Sequence, residues 1–320
     1  MKHFPLFIAL LISSLSFLQA QTDSKPTWHN NLTTIYSLED EQSYRIVQDC
    51  NLYTEGWDLL PQPKFWCKVM GMEKDSSIVN IAATREVLCF ATTSKIDSME
   101  DDQLEAFKDS VRGVYSLDKE EKVYVTSGKN DYYQFHKVLP EIHHGIEAFV
   151  EAGVDPWYAQ AILLIESPGF SRTSINGARG PFQLMKSVAI SQRLKVNSSV
   201  DERDDIHKAA IAAAGLINEV CLPWTRKILD SRRIKYDENS IWFKLMVLHV
   251  YHAGYRNVRD VVNHIAPKEG GISLIRELWQ TSYRRFGNAS QNYSQLVLAS
   301  MIRLDQIVLN EFEIRCDCCD

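Results

Sequence analysis

The stretch that most constrains this chain runs from Asp155 to Met185, DPWYAQAILLIESPGFSRTSINGARGPFQLM. Asp155 can cap a helix, and Pro156 suits the first helical position. Nearly every residue from Trp157 to Ile165 is apolar, so the helix has no solvent face and must lie deep in a core. The run ends on a carboxylate, Glu166, followed by the breakers Ser167-Pro168-Gly169. Helical spacing puts Glu166 on the face of Ala159, Ile162 and Leu163. A carboxylate there loses water, and its pKa rises toward the range useful to a general acid. A glycine loop follows, Gly177-Ala178-Arg179-Gly180, then Pro181-Phe182-Gln183-Leu184-Met185. Glycines allow close backbone approach or positive φ. Phe182 beside Gln183 offers a stacking face and a hydrogen-bonding head, a pair that suits a sugar.

The rest of the chain supports a mainly α fold. From about residue 134 to 311 the pattern is helical. Helices are expected over Pro140–Ala152, Phe182–Lys195, Asp201–Val220, Ser240–His252, Asn257–Ile265, Ile272–Thr281 and Ser290–Phe312. With the central helix they make an α domain over residues 134–312, packed around Ile162 to Ile165. Residues 21–133 read as a smaller mixed or mostly helical region of unassigned role. Within it, residues 21–45 look like a polar, extended leader. Met99–Tyr115 is expected to be a helix behind the acids Glu100, Asp101 and Asp102, and Lys122–Thr126 a short extended piece. Ile78–Ala83 and Val87–Thr92 read equally as short strands or as buried helix turns.

An apolar fraction of 45% over 320 residues allows a sizeable core, and the net charge of −6 argues against nucleic acid as the main partner. Residues 1–20 have the form of a secretory signal peptide: Lys2 and His3, an apolar run from Pro5 to Leu18, and Ala20 before Gln21. No later stretch is apolar enough to span a bilayer. Seven cysteines in an exported chain point to some disulfides. Cys316, Cys318 and Cys319 crowd a Cys-rich tail over residues 313–320, which reads as disulfide or exposed thiol, with a soft metal as the alternative. No metal site and no cofactor is expected elsewhere. The HxxH of His249 and His252 lacks a glutamate between its histidines, so packing or groove lining is the expected role. His143-His144 reads as a solvated pair.

Three motifs together, Glu166-Ser167, GARGPFQLM and VYHAGYRNV (Val250 to Val258), resemble those of the soluble and membrane-bound D-type lytic transglycosylases. Val200-Asp201-Glu202-Arg203-Asp204 is similar to the VDERRDP stretch of the D type, and Asn292-Tyr293 to the pair before the family's last helix. The resemblance covers about residues 155–300. It implies a lysozyme-like α fold with a groove for peptidoglycan glycan strands. It also implies non-hydrolytic cleavage of the bond from N-acetylmuramic acid to N-acetylglucosamine, in the periplasm or envelope of a bacterium, leaving a 1,6-anhydro end. Carried over by motif position, Glu166 is the single acid/base. Gly180, Phe182 and Gln183 belong to the sugar groove. Ser167, Tyr251 and His252 hydrogen-bond at the reacting sugar, and Tyr293 points at the same place.

The chain departs from the family in three ways. The spacing from Glu166 to Gln183 is one residue short. Pro181-Phe182 replaces Leu-Met or Ile-Trp. His252 replaces an Asn, which makes one groove contact sensitive to pH. Two other readings remain. One is a goose-type lysozyme-like hydrolase, for which Glu202 or Asp204 is the candidate second carboxylate. The other is a glycan binder without activity. Two plainer roles stand beside these: Glu166 as a helix-end partner of Arg172 or Arg179, and Glu202 with Asp204 as the acidic start of the Ala-rich helix.

Overall fold

The computed structural model describes residues 28, 31–169 and 173–315. The expected signal peptide, Arg172 and the tail cysteines lie outside the described residues. The chain is mainly α with two small antiparallel sheets.

From Leu32 onward, the region expected as a leader is instead a hairpin. Strand β1 (Leu32–Ser37) pairs in antiparallel register with β2 (Gln42–Val47), Leu32 opposite Val47 and Ser37 opposite Gln42. The pattern LTTIYS looks polar, yet Ile35 is fully buried, and Tyr44, Ile46 and Val47 join it inside. The far edge of β1 takes up β6 (Glu313–Arg315), so the first residues of the tail expected over 313–320 are a strand. Short helix α1 (Asn51–Thr54) leads to α2 (Pro61–Gly71), which packs on the chain's last long helix. The ambiguous stretches are strands: β3 (Ser76–Ile81) is the centre of a sheet with β4 (Val87–Thr92) and β5 (Val123–Ser127). Between them lie α3 (Thr93–Asp97) and α4 (Asp101–Val114). In the capping box at the start of α4, the Gln103 side chain accepts from the Glu100 backbone N–H at 3.0 Å.

Helix α5 (Phe135–Glu151) begins five residues before the expected start and carries Pro140 inside it. Helix α6 (Trp157–Glu166) is the predicted central helix, and its residues from Trp157 to Ile165 are all buried. It packs against α5, α8 (Ile206–Leu216) and α13 (Asn288–Glu311). Gly145 permits the closest approach, because a Cβ there would meet Leu163 Cδ1 at 2.7 Å. Asp155 caps α6 as expected, accepting from Trp157 N at 2.9 Å. Its other oxygen holds Lys244 Nζ at 2.9 Å, and Asp49 lies 3.6 Å from the same ammonium, so a buried ion triad anchors the start of the helix. Midway, the buried Gln160 side chain completes the end of β2. It donates to Val47 O and accepts from Val47 N, both at 2.8 Å.

The helix expected over Phe182–Lys195 shrinks to α7 (Lys186–Ser191), because residues 180–183 are spent on a turn in which Gln183 itself has φ 46°. The helix expected from Asp201 starts later, where Asp205 caps α8 by accepting from Lys208 N. A wide π turn, Ile217–Cys221, joins α8 to α9 (Leu222–Ser231). Pro223 explains it, since it has no N–H to continue the regular ladder. Helices α10 (Ile241–Ala253), α11 (Tyr255–Ile265) and α12 (Ile272–Gln280) complete the set close to their expected bounds. One continuous core takes side chains from Ile35 through Val308, and a smaller one lies beneath β3 (Val79, Ile81, Leu88, Val111, Val123). Among the described residues no helix is long and apolar enough to cross a membrane.

Cys50, Cys67, Cys89 and Cys221 are free thiols, so the expected disulfides do not form among the described residues. Burial pushes the Cys67 and Cys221 thiols up to about 12.

Candidate active site

Glu166 ends α6 at the floor of a cavity of about 290 Å³, where it meets Gln183, Tyr251, His252 and Leu216. The last turn of a fully enclosed helix brings it there, and the Ser167-Pro168-Gly169 break lets the chain turn away. Loss of water pushes the Glu166 carboxyl up to about 7, and the Tyr293 hydroxyl pulls weakly the other way. That hydroxyl is buried and has no complete hydrogen bond of its own. Among the described residues no ion pair involves Glu166. Its proposed partner Arg179 instead forks onto Asp204, at 2.9 Å from Nε and 2.6 Å from Nη2.

The loop beside Glu166 is held from behind. Arg203, gripped by Asp201 at 2.7 Å, donates from Nη1 to the carbonyls of Gly177 (2.9 Å) and Leu184 (3.0 Å). The acidic stretch at 201–204 therefore clamps the loop and does not face the cavity. Glu202 is engaged by Lys208 at 2.8 Å. No carboxylate other than Glu166 lines the cavity among the described residues.

The eight expected site residues divide into two groups. Glu166, Gln183, Tyr251 and His252 line the cavity, and Tyr293 stands at its edge, with the His252 ring stacked on it at 4.1 Å between centroids. The other three correct the expectation. Phe182 does not face a groove: it is fully buried and stacks on Phe149 at 5.8 Å. Apolar area drives a ring inward when the turn that carries it points at the core. Ser167 is buried and spends its hydroxyl on Pro181 O at 2.9 Å. Gly180 is buried at φ 78°, and a Cβ there would lie 1.8 Å from Arg203 O, so its role is the close approach that seats the clamp. Tyr251 also donates to the loop, its hydroxyl meeting Phe182 O at 2.7 Å, so it fixes the cavity wall.

Sequence reasoning passed over Ser174, Asn176 and Met185, which complete the lining from the loop. A glycine-flanked Ser and Asn in a short loop after Glu166 was the available signal. Asn176 and Met185 also line an adjoining depression of about 670 Å³ that runs on past Arg179, Lys186 and Ile190. The two together make a surface groove with Glu166 on its floor, suited to an extended ligand rather than an enclosed one.

The histidines differ. His249 is buried, and desolvation drops its pKa to about 3, so it is neutral. Ser294 Oγ accepts from Trp279 Nε1 at 2.7 Å and shares a hydrogen bond with His249 Nε2 at 2.9 Å. His252 is exposed on one edge while the crowded site pulls its pKa below the ordinary value; water on that edge limits the shift. Far away on α5, His143 is not simply solvated: its Nδ1 accepts from Arg45 N at 3.0 Å.

Comparison with protein-family models, curated proteins and solved structures finds no match.

Proposed function

We propose that this chain is an exported glycosidic-bond-cleaving enzyme of the lytic transglycosylase type, acting on peptidoglycan with Glu166 as its single acid/base. The observation that carries this reading is the Glu166 carboxyl, raised to about 7, on the floor of a groove with no second carboxylate beside it among the described residues. A carboxyl raised this far by burial retains its proton closer to neutral pH than an ordinary glutamate does.

The chemistry needs only that group. Glu166 gives its proton to the departing glycosidic oxygen as the C1–O bond breaks. The resulting carboxylate then takes the proton of the muramic C6 hydroxyl, whose oxygen bonds to C1 and closes the 1,6-anhydro ring. The Tyr293 hydroxyl, which favours the charged form, steadies the carboxylate between the two transfers. Gln183 and His252, both in the cavity lining, offer hydrogen bonds to the sugar. Most glycosidases place a second carboxyl about 5–10 Å from the first to supply or activate a nucleophile. Here Glu202 and Asp204 are committed to Lys208 and Arg179, which disfavours hydrolysis by that route.

The test is clearance of purified peptidoglycan. The chain freed of residues 1–20 should lower the turbidity of a sacculus suspension, and Glu166→Gln should not. Equal clearance by both would remove Glu166 from the mechanism; clearance by neither, with sacculi still bound, would leave a glycan binder.

A further inference from the structure

A second cavity, of about 290 Å³, lies between the β3–β4–β5 sheet and helices α12 and α13. At its inner end is Arg85, on the β3–β4 turn, only 4% exposed. Its surroundings are unusual for a guanidinium. Among the described residues no carboxylate pairs with it. Instead three rings surround it, with Trp66 at 5.3 Å, Tyr124 at 5.5 Å and Phe65 at 5.6 Å. Nη2 donates to Asn292 Oδ1 at 2.6 Å, and Nε is buried with no partner. Burial pulls the group down to about 10. The chain also holds Arg85 in the left-handed region, at φ 62°, where a side chain is costly.

A buried cation without a counter-ion is unfavourable unless something else neutralises it. Planar guanidinium groups match carboxylates through paired N–H donors. The cavity mouth has the opposite character: Glu120 and Glu121 stand there with Lys122. A molecule with a carboxylate at one end and an amine at the other meets both ends of this gradient. The volume limits it to an amino acid or a very short peptide.

We infer that this cavity binds the α-carboxylate of an amino acid or short peptide at Arg85, with the ligand's amine toward Glu120 and Glu121. The site lies apart from the Glu166 groove and does not depend on glycan cleavage. It gives the β3–β4–β5 region a ligand-binding role, and its lining reaches toward the Glu166 groove through Asn292, the neighbour of Tyr293, and through Trp279, which donates to Ser294.

The test is calorimetric titration of the purified chain with glycine, glycylglycine and L-alanyl-L-alanine. Saturable one-to-one binding by at least one of the three is expected. The C-terminal amide of the best ligand should bind at least tenfold more weakly to the wild type, and its N-acetyl form several-fold more weakly. Arg85→Met should lose at least tenfold in affinity, with Glu120→Gln/Glu121→Gln losing less. No saturable binding by any of the three would overturn the proposal, as would an amide that binds as well as the free acid. The amide comparison needs no variant, so it decides the matter even if Arg85→Met fails to fold.

Discussion

Glu166→Gln should stabilise the protein at alkaline pH. The carboxyl rises from an ordinary 4.5 to about 7 in the folded chain because its site excludes water. The folded state therefore holds the proton more tightly than the unfolded chain does. Glu166's contribution to stability is greatest below pH 4.5 and is lost as pH climbs through 7. At about 1.4 kcal/mol per unit, full ionisation of Glu166 costs the fold about 3 kcal/mol. Glutamine fills the same space and carries no charge. Urea unfolding of both proteins at pH 5 and pH 8 reads the difference directly, since other titrating groups such as Asp305 are common to both and cancel. The two should differ by less than about 1 kcal/mol at pH 5, with the variant's advantage growing by about 2–3 kcal/mol at pH 8. An advantage that does not grow with pH would mean that Glu166 is well solvated and that its readiness as an acid is an error of reasoning.

Three further expectations follow from the same site and its supports. Tyr293→Phe should leave stability unchanged or raise it slightly, because the buried hydroxyl lacks a complete hydrogen bond; in a sacculus assay it should slow turnover by about tenfold or more and move the alkaline limb of the pH profile upward. Unchanged turnover and profile would detach Tyr293 from Glu166. Gly180→Ala places a Cβ 1.8 Å from Arg203 O at a left-handed φ, so a loss of about 2–4 kcal/mol is expected in thermal or urea unfolding; a loss under about 1 kcal/mol would mean the clamp yields easily. Gln160→Ala strands both Val47 backbone groups inside the core, and should cost about 2–4 kcal/mol in urea unfolding, with less than about 1 kcal/mol counting against that bridge.

What could be read from the chain was local. The apolar run Trp157–Ile165, its Asp155 cap and the breakers after Glu166 all act within a few residues, and α6 came out as expected with its carboxylate in a cavity. Gln183, Tyr251, His252 and Tyr293 lie around it, brought there from the loop, α10 and α13. The direction of Phe182 was not legible, since the turn made by Gly180 decides which way a side chain points and spacing does not. The hairpin at 32–47 was missed because its polar-looking strands gain their buried face from distant parts of the chain: Gln160 closes the end of β2, and β6 flanks β1, Thr34 opposite Arg315 and Ile35 opposite Ile314. Lone polar residues in apolar surroundings, Arg85, Gln160 and Lys244, carried no motif at all. Their meaning lies in what tertiary packing sets beside them: the cavity, the end of β2, and Asp49 with Asp155.

The single-carboxylate account stands or falls on the source of the nucleophile. Peptidoglycan digested in heavy-oxygen water and analysed by mass spectrometry reports it in one spectrum. The account predicts muramic ends lighter by one water than reducing ends and free of the heavy isotope, because the sugar's own C6 oxygen closes on C1. Reducing ends that carry the isotope would show water attacking C1, and a reaction by a single carboxylate with an internal nucleophile would be contradicted.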